Sequence, residues 1–195
     1  MNQTTWDIAL FEALNFDGGR FFDALMVAIS GVVMWLPLYA LIIYMVWRKY
    51  SWYGVAIFVT AVAVAMGMAD LVSGLFKHSG PFRAVWPDFP VRLRPMFNPL
   101  VGDDIHVVSW EHGRFGTVSA HAATIVSLAL LSSYVIRRRW FIIVMSVVAV
   151  VICYSRIYLA CHFPQDILIG ALLGLISGGV GILIFRWARR ELLEA

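Results

Sequence analysis

Five apolar runs dictate how this chain can fold. Residues 32–47, 52–76, 118–136, 140–158 and 166–185 each approach or reach the length of a membrane-crossing helix, about 20 residues. Basic residues punctuate them: Arg48-Lys49 after the first, Arg137-Arg138-Arg139 after the third, and Arg186, Arg189 and Arg190 after the fifth. Of 195 residues, 61% are hydrophobic and 14% charged, where a soluble domain carries about 25% charged residues. Inside a bilayer no water meets bare backbone, so such runs fold as helices. The expected fold class is all-α, a polytopic membrane helical bundle with about five transmembrane helices preceded by N-terminal interfacial helices. Residues 1–195 are expected to form a single membrane-embedded domain.

The first 31 residues are too polar and too broken to span. Thr4 and Asp7 have capping-box spacing with Asp in place of Glu, which predicts a short helix over residues 4–16. Trp6, Leu10, Phe11 and Leu14 form its apolar face, with Asp7, Glu12 and Asn15 elsewhere, as suits an interfacial helix. Asp17-Gly18-Gly19 breaks it. Residues 21–47 then form either one long helix bent at Pro37 or an in-plane helix followed by a short span, and the second is favoured. The first fifteen residues hold Asp7 and Glu12 but no Lys or Arg, the wrong sign for the start of a signal peptide. The only two cysteines, Cys153 and Cys161, would lie about 12 Å apart on a continuous helix, beyond disulfide reach. They are expected to be unpaired.

Residues 78–117 are polar and proline-rich. A stretch of that length without secondary structure is uncommon unless functional or disordered. Phe82, Trp86, Phe89, Phe97, Trp110 and Phe115 argue against disorder and for a lid at the membrane surface. With five spans, the three arginine-rich clusters fall on one side, which the positive-inside rule makes cytoplasmic. Lys77, Arg94, His121, Arg156, His162 and Asp166 then share the opposite, periplasmic-type side.

Those residues carry the chemistry. Ser155-Arg156-Ile157-Tyr158-Leu159-Ala160-Cys161-His162-Phe163-Pro164-Gln165-Asp166 places an arginine, a histidine and an aspartate between two apolar runs. Charge at such depth is costly and points to function. The alternative is an interfacial loop whose polar groups meet water. If a helix opens near Pro164, His162 and Asp166 share a face, and the carboxylate can hold one imidazole nitrogen while the other points outward. Two further stretches join this one: Val118-Ser119-Ala120-His121, and Lys77 followed by Arg94-Pro95. Asp70 lies seven residues before Lys77 on the same helix face, either orienting the lysine or simply neutralising it.

Together these resemble the type 2 phosphatidic acid phosphatase superfamily of membrane lipid phosphatases. The family's third motif, Ser-Arg, five residues, His, three residues, Asp, is matched in full by Ser155, Arg156, His162 and Asp166. Its second, Pro-Ser-Gly-His, is loosened to Val118-Ser119-Ala120-His121. Its first, Lys, six residues, Arg-Pro, is met by Lys77 and, after sixteen residues, Arg94-Pro95, with Arg83 as the alternative partner.

The resemblance implies that His162 attacks phosphorus to give a phosphohistidine. Asp166 fixes and stabilises the ring, and His121 protonates the leaving oxygen and later activates water. It also implies phosphate binding by Lys77, Arg94, Ser119, Ala120 and Arg156. Ser119 can equally be a plain helix cap. Arg83, Arg92 and Arg114 are expected to meet lipid headgroups, and His78, His106 and His112 to be solvated. No metal or other cofactor is expected, because three cations around the site would repel a divalent ion.

The implied activity is removal of a terminal phosphate from a lipid phosphate or diphosphate such as undecaprenyl diphosphate, lipid A, phosphatidylglycerophosphate or phosphatidate. The implied setting is a bacterial inner membrane, with the site facing the periplasm. Lipids are the expected partners, and nucleic acid is not. A non-catalytic lipid-phosphate binding or transport protein is the alternative. The family's soluble haloperoxidases are a more distant one, which five spans disfavour.

Overall fold

The computed structural model describes residues 5–76, 85–88, 91–101, 104–109 and 113–193. It contains helices α1 (Thr5–Leu14), α2 (Gly19–Ser30), α3 (Leu36–Leu75), α4 (Ala120–Ile136), α5 (Arg139–Tyr158) and α6 (Pro164–Leu193). Two single turns of 3-10 helix, Val33–Trp35 and Pro95–Phe97, lie between them. Among the described residues the one β feature is an isolated antiparallel bridge between Leu93 and Phe115.

α3 is two helices in one. Ser51 leaves the helical region, with φ 62° and ψ −174°. The limb before it and the limb after it run back along each other: Trp35 and Tyr39 line the same cleft as Met66 and Asp70. At the other end, Lys49 Nζ donates to the Val135 carbonyl at 2.7 Å and Tyr50 packs on Phe185. Residues 33–75 therefore supply two of the expected apolar segments. Pro37 stands in the first turn of α3, where its missing N–H costs nothing, and so does not kink it. α2 ends at Gly31, whose N–H turns back to the Val27 and Ala28 carbonyls. A separate helix before the first apolar limb is thus what forms, rather than one long bent helix. Residues 33–75, 139–158 and 164–191 are long and apolar enough to cross a membrane. α4 is shorter, at 17 residues.

α4 and α6 set the frame. Gly170, Gly174 and Gly178 recur every fourth residue and so share one face of α6. A Cβ added at Gly170 would lie 2.4 Å from the Ser119 carbonyl oxygen, and one at Gly174 would lie 2.5 Å from that of Ala123. Without side chains at these points the two backbones touch, as small residues allow between membrane helices. Leu172, Ile176 and Leu183 on other faces of α6 stay exposed, as do Ile143, Val147 and Val150 of α5. Such faces suit lipid as solvent.

α1 departs from expectation in which face it buries. Asp7, Phe11 and Asn15 are turned inward, while Trp6 and Leu10 are exposed. The cause is long-range hydrogen bonding. Asn15 Nδ2 donates to the Tyr158 carbonyl at 2.8 Å and Asn15 Oδ1 accepts from the His106 N–H at 2.8 Å. Phe11 meets Phe163 edge-on at 5.4 Å. Thr4, the expected cap, lies outside the described residues.

The glycine contacts predict a sharp contrast. Gly174→Ala should cost about 1–3 kcal/mol, the usual penalty of overpacking a close contact. Gly179→Ala, with nothing within 4 Å of its new Cβ, should be neutral or slightly stabilising, since alanine restricts the unfolded chain. Thermal midpoints of the two variants in one detergent measure the difference.

Candidate active site

Three chain segments meet at one end of the bundle. α5 ends at Tyr158, and Ala160 takes a left-handed φ of 52°, which turns the chain sharply. Pro164 then starts α6. His162 sits in this turn, and Asp166 in the first turn of α6. α4 begins beside them, with the Ser119 N–H donating to the Asp166 carbonyl at 3.2 Å. The polar stretch folds back over both. Arg94 N–H donates to the Arg114 carbonyl, Gly116 N–H to the Arg92 carbonyl, and Met96 N–H to the Ala160 carbonyl. Met96 and Val101 are buried, so the part of this stretch around Arg92 and Arg94 packs against the site, while Trp86 and Leu100 stay exposed.

His162 is almost wholly buried, and both ring nitrogens are engaged. Nδ1 lies 3.1 Å from the Gly116 carbonyl. A carbonyl only accepts, so Nδ1 carries the proton and Nε2 keeps its lone pair. Arg94 Nη1 stands 3.3 Å from Nε2 and also donates to the Cys161 carbonyl at 2.9 Å, while Arg94 Nε donates to that of Gly113 at 2.6 Å. Burial, then the charges of Arg94 and Arg156, hold His162 well below the usual histidine range. The imidazole is neutral at pH 7, the form a nucleophile requires.

This arrangement corrects the expected role of Asp166 as the group bonded to the ring. Its Oδ2 is 3.7 Å from His162 Nδ1, an electrostatic neighbour rather than a hydrogen-bond partner. Oδ2 instead accepts the Phe163 N–H at 3.1 Å. Oδ1 stands 3.1 Å from Arg92 Nη1, an ion pair whose angle falls short of a hydrogen bond. Gly116 holds the tautomer. A Cβ on Gly116 would lie 2.9 Å from Arg94 Cγ and 3.2 Å from His162 Nδ1. It is a site residue without a side chain, and it lies outside the three motifs.

Two more expectations change. Arg92 meets no headgroup: it is 3% exposed and bridges Asp7 and Asp166. His106 is not simply solvated. Its Nε2 lies 2.7 Å from Asp23 Oδ1, which also accepts from the Tyr158 hydroxyl at 2.6 Å.

A cleft of about 710 Å³ opens above His162. Arg94, Arg156, His121 and Asp70 line it, with Ala120 and Gly116, and Val32, Trp35, Met66, Leu128 and Ile152 make up its apolar part. Arg156 is buried and donates through Nη1 to Ser30 Oγ. Ser119 is absent from the lining. Its buried Oγ accepts the Ala122 N–H at 3.3 Å, so its hydroxyl acts as the cap of α4. Lys77 and Arg83 lie outside the described residues, as does any pairing of Lys77 with Asp70. Cys153 and Cys161 are unpaired. Among the described residues the one cluster with metal-ligand spacing is Asp17, Asp23 and His106, away from this cleft.

The two guanidinium groups can neutralise an anion in the cleft, and an anion that draws Arg94 to itself would expose the Nε2 electron pair that Arg94 now meets at 3.3 Å. The apolar part can hold a lipid chain. The model of the PAP2 superfamily matches residues 58–190. A lipid A 4'-phosphatase of Bacteroides thetaiotaomicron is 32% identical over 161 residues, covering 81% of this chain and 67% of that one. A lipid A 4'-phosphatase of Porphyromonas gingivalis is 31% identical over 188 residues, covering 95% and 75%. The crystal structure of Aquifex aeolicus LpxE superposes with a TM-score of 0.67 at 17% identity, covering 94% of this chain and 98% of that one, which shows the shared fold. The chain belongs to the PAP2 superfamily.

Proposed function

We propose that this membrane lipid phosphatase hydrolyses a phosphate of a lipid A-type glycolipid on the outer face of an inner membrane, by way of a phosphohistidine at His162. The observation that carries the reading is the neutral, buried His162, its Nε2 turned to Arg94 in a cleft that also holds Arg156 and His121. The choice of substrate rests on the two relatives named lipid A 4'-phosphatase.

Substrate phosphate enters the cleft and takes Arg94 and Arg156 as its donors, which frees the Nε2 lone pair. Nε2 forms a bond to phosphorus as the bond to the lipid oxygen breaks, and His121 gives that oxygen a proton. The ring becomes a phosphoimidazolium, its charge placed beside Asp166. His121 then takes a proton from water, whose oxygen attacks phosphorus. The P–N bond breaks and inorganic phosphate leaves.

Charge supports this choice of face. About 20 residues of α6 separate Asp166 from Arg186, roughly 30 Å of helix. Arg137, Arg186, Arg189 and Arg190 gather around one pocket at that far end, and Arg48 and Lys49 stand with Arg137 around the next. This basic end suits the cytoplasm and leaves the cleft outside.

Three outcomes are expected. Purified protein in detergent with chelator should release phosphate from lipid A, and in parallel reactions less or none from undecaprenyl diphosphate, phosphatidylglycerophosphate or phosphatidate. His162→Ala should lose on the order of 10⁶-fold in kcat, as loss of a nucleophile does elsewhere. Appreciable turnover by that variant would refute the assignment. Gly116→Ala should fold but lose on the order of a hundredfold in rate, the usual result of moving reacting groups by about 1 Å. Full activity in that variant would show that the Gly116 contact does not set His162.

A further inference from the structure

We infer that Asp7, on the N-terminal helix, is a positioning residue for the phosphoryl transfer, acting through Arg92 to keep the charge of Asp166 available to His162. The inference rests on the function proposed above.

The three side chains form a closed ionic unit inside the protein. Asp7 and Asp166 are fully buried and Arg92 nearly so. Arg92 Nη2 donates to Asp7 Oδ2 at 2.5 Å, and Arg92 Nη1 stands 3.1 Å from Asp166 Oδ1. Nη1 also donates to Gln165 Oε1 at 2.8 Å. The other oxygen of Asp7 accepts the Gln165 N–H at 2.9 Å, so Asp7 caps the first turn of α6 from outside that helix. The guanidinium lies over the Phe163 ring at 5.0 Å, and Phe163 in turn meets Phe11 of α1. One cation is thus shared by two buried carboxylates, a costly arrangement in a dry interior. A simple structural salt bridge would need only one of them.

Sharing has a chemical consequence. Asp166 is 3.7 Å from His162 Nδ1, and the ring gains positive charge only as Nε2 bonds phosphorus. A carboxylate fully paired with its own arginine offers that ring little. A carboxylate whose arginine is drawn toward a second carboxylate keeps a net field at the ring, and at this distance, away from water, that field matters. Asp7 supplies the second carboxylate. The contribution appears in the transition state and not in substrate binding, since Arg94 and Arg156, which face the cleft, are not in the unit.

The test is a double-mutant cycle on kcat with a radiolabelled lipid phosphate, using full-length protein checked for fold by thermal midpoint and gel filtration. Asp7→Asn keeps the shape and the acceptor for Gln165 N–H but removes the charge. It should lower kcat on the order of tenfold to a hundredfold with KM unchanged. In the Asp166→Asn background the same change should have no further effect. Unchanged kcat in Asp7→Asn, or two losses that multiply, would overturn the inference. Should Asp7→Asn fail to fold, Asp7→Ser, which keeps an oxygen acceptor for the Gln165 N–H, serves in its place: its effect on kcat must likewise vanish when Asp166 is Asn, and persistence would overturn the inference. Wild-type protein that releases no phosphate would instead bring down the proposed function itself.

Discussion

The active end of this protein depends on how closely α4 and α6 approach. Gly170 and Gly174 let the carbonyls of Ser119 and Ala123 come within 2.4 and 2.5 Å of where a Cβ would stand. That contact brings the starts of two helices together, so the Ser119 N–H meets the Asp166 carbonyl. One start carries His121, and the turn before the other carries His162. The two histidines, to which we assign opposite tasks, are held at one cleft by a pair of backbones. In lipid, where apolar side chains gain little by meeting one another, such close contact is a main source of helix association.

The second layer is the polar stretch between α3 and α4. It reaches the site by backbone pairing, through Arg92, Arg94, Arg114 and Gly116. Arg94 brings a cation to Nε2 and Gly116 brings an acceptor to Nδ1, from residues that are close in sequence and paired across the Leu93–Phe115 bridge. One small element therefore sets both the tautomer of His162 and the charge in front of it. The third layer is α1, whose Asp7 and Asn15 tie it to Arg92, Gln165 and the Tyr158 carbonyl.

What the sequence revealed, and what it hid, follows from the range of the interactions. The apolar runs were legible because hydropathy is local, and the helices fall within a few residues of them. Arg156, His162 and Asp166 were legible because charge between membrane runs is rare. The inward face of α1 was not. Its pattern placed Asp7 and Asn15 outward because polar residues usually face water, yet their partners lie 85 to 158 residues away in the chain. Arg92 looked like one more surface cation for the same reason. Gly116 has no side chain to draw notice. The ring partner of His162 was assigned by i, i+4 spacing, which finds neighbours but does not weigh a carbonyl from another segment against them. The four-residue glycine spacing of α6 takes its meaning only from the partner helix that it meets.

The central claim is that phosphate passes through His162. Rapid acid-free quenching of the enzyme with ³²P-labelled lipid phosphate, followed by mass spectrometry of its peptides, tests it most directly. The account predicts an acid-labile phosphoryl group on the peptide containing His162, forming and decaying at rates compatible with turnover. Label on another residue, or steady turnover with no phosphoenzyme at any time point and direct transfer to water, would contradict it.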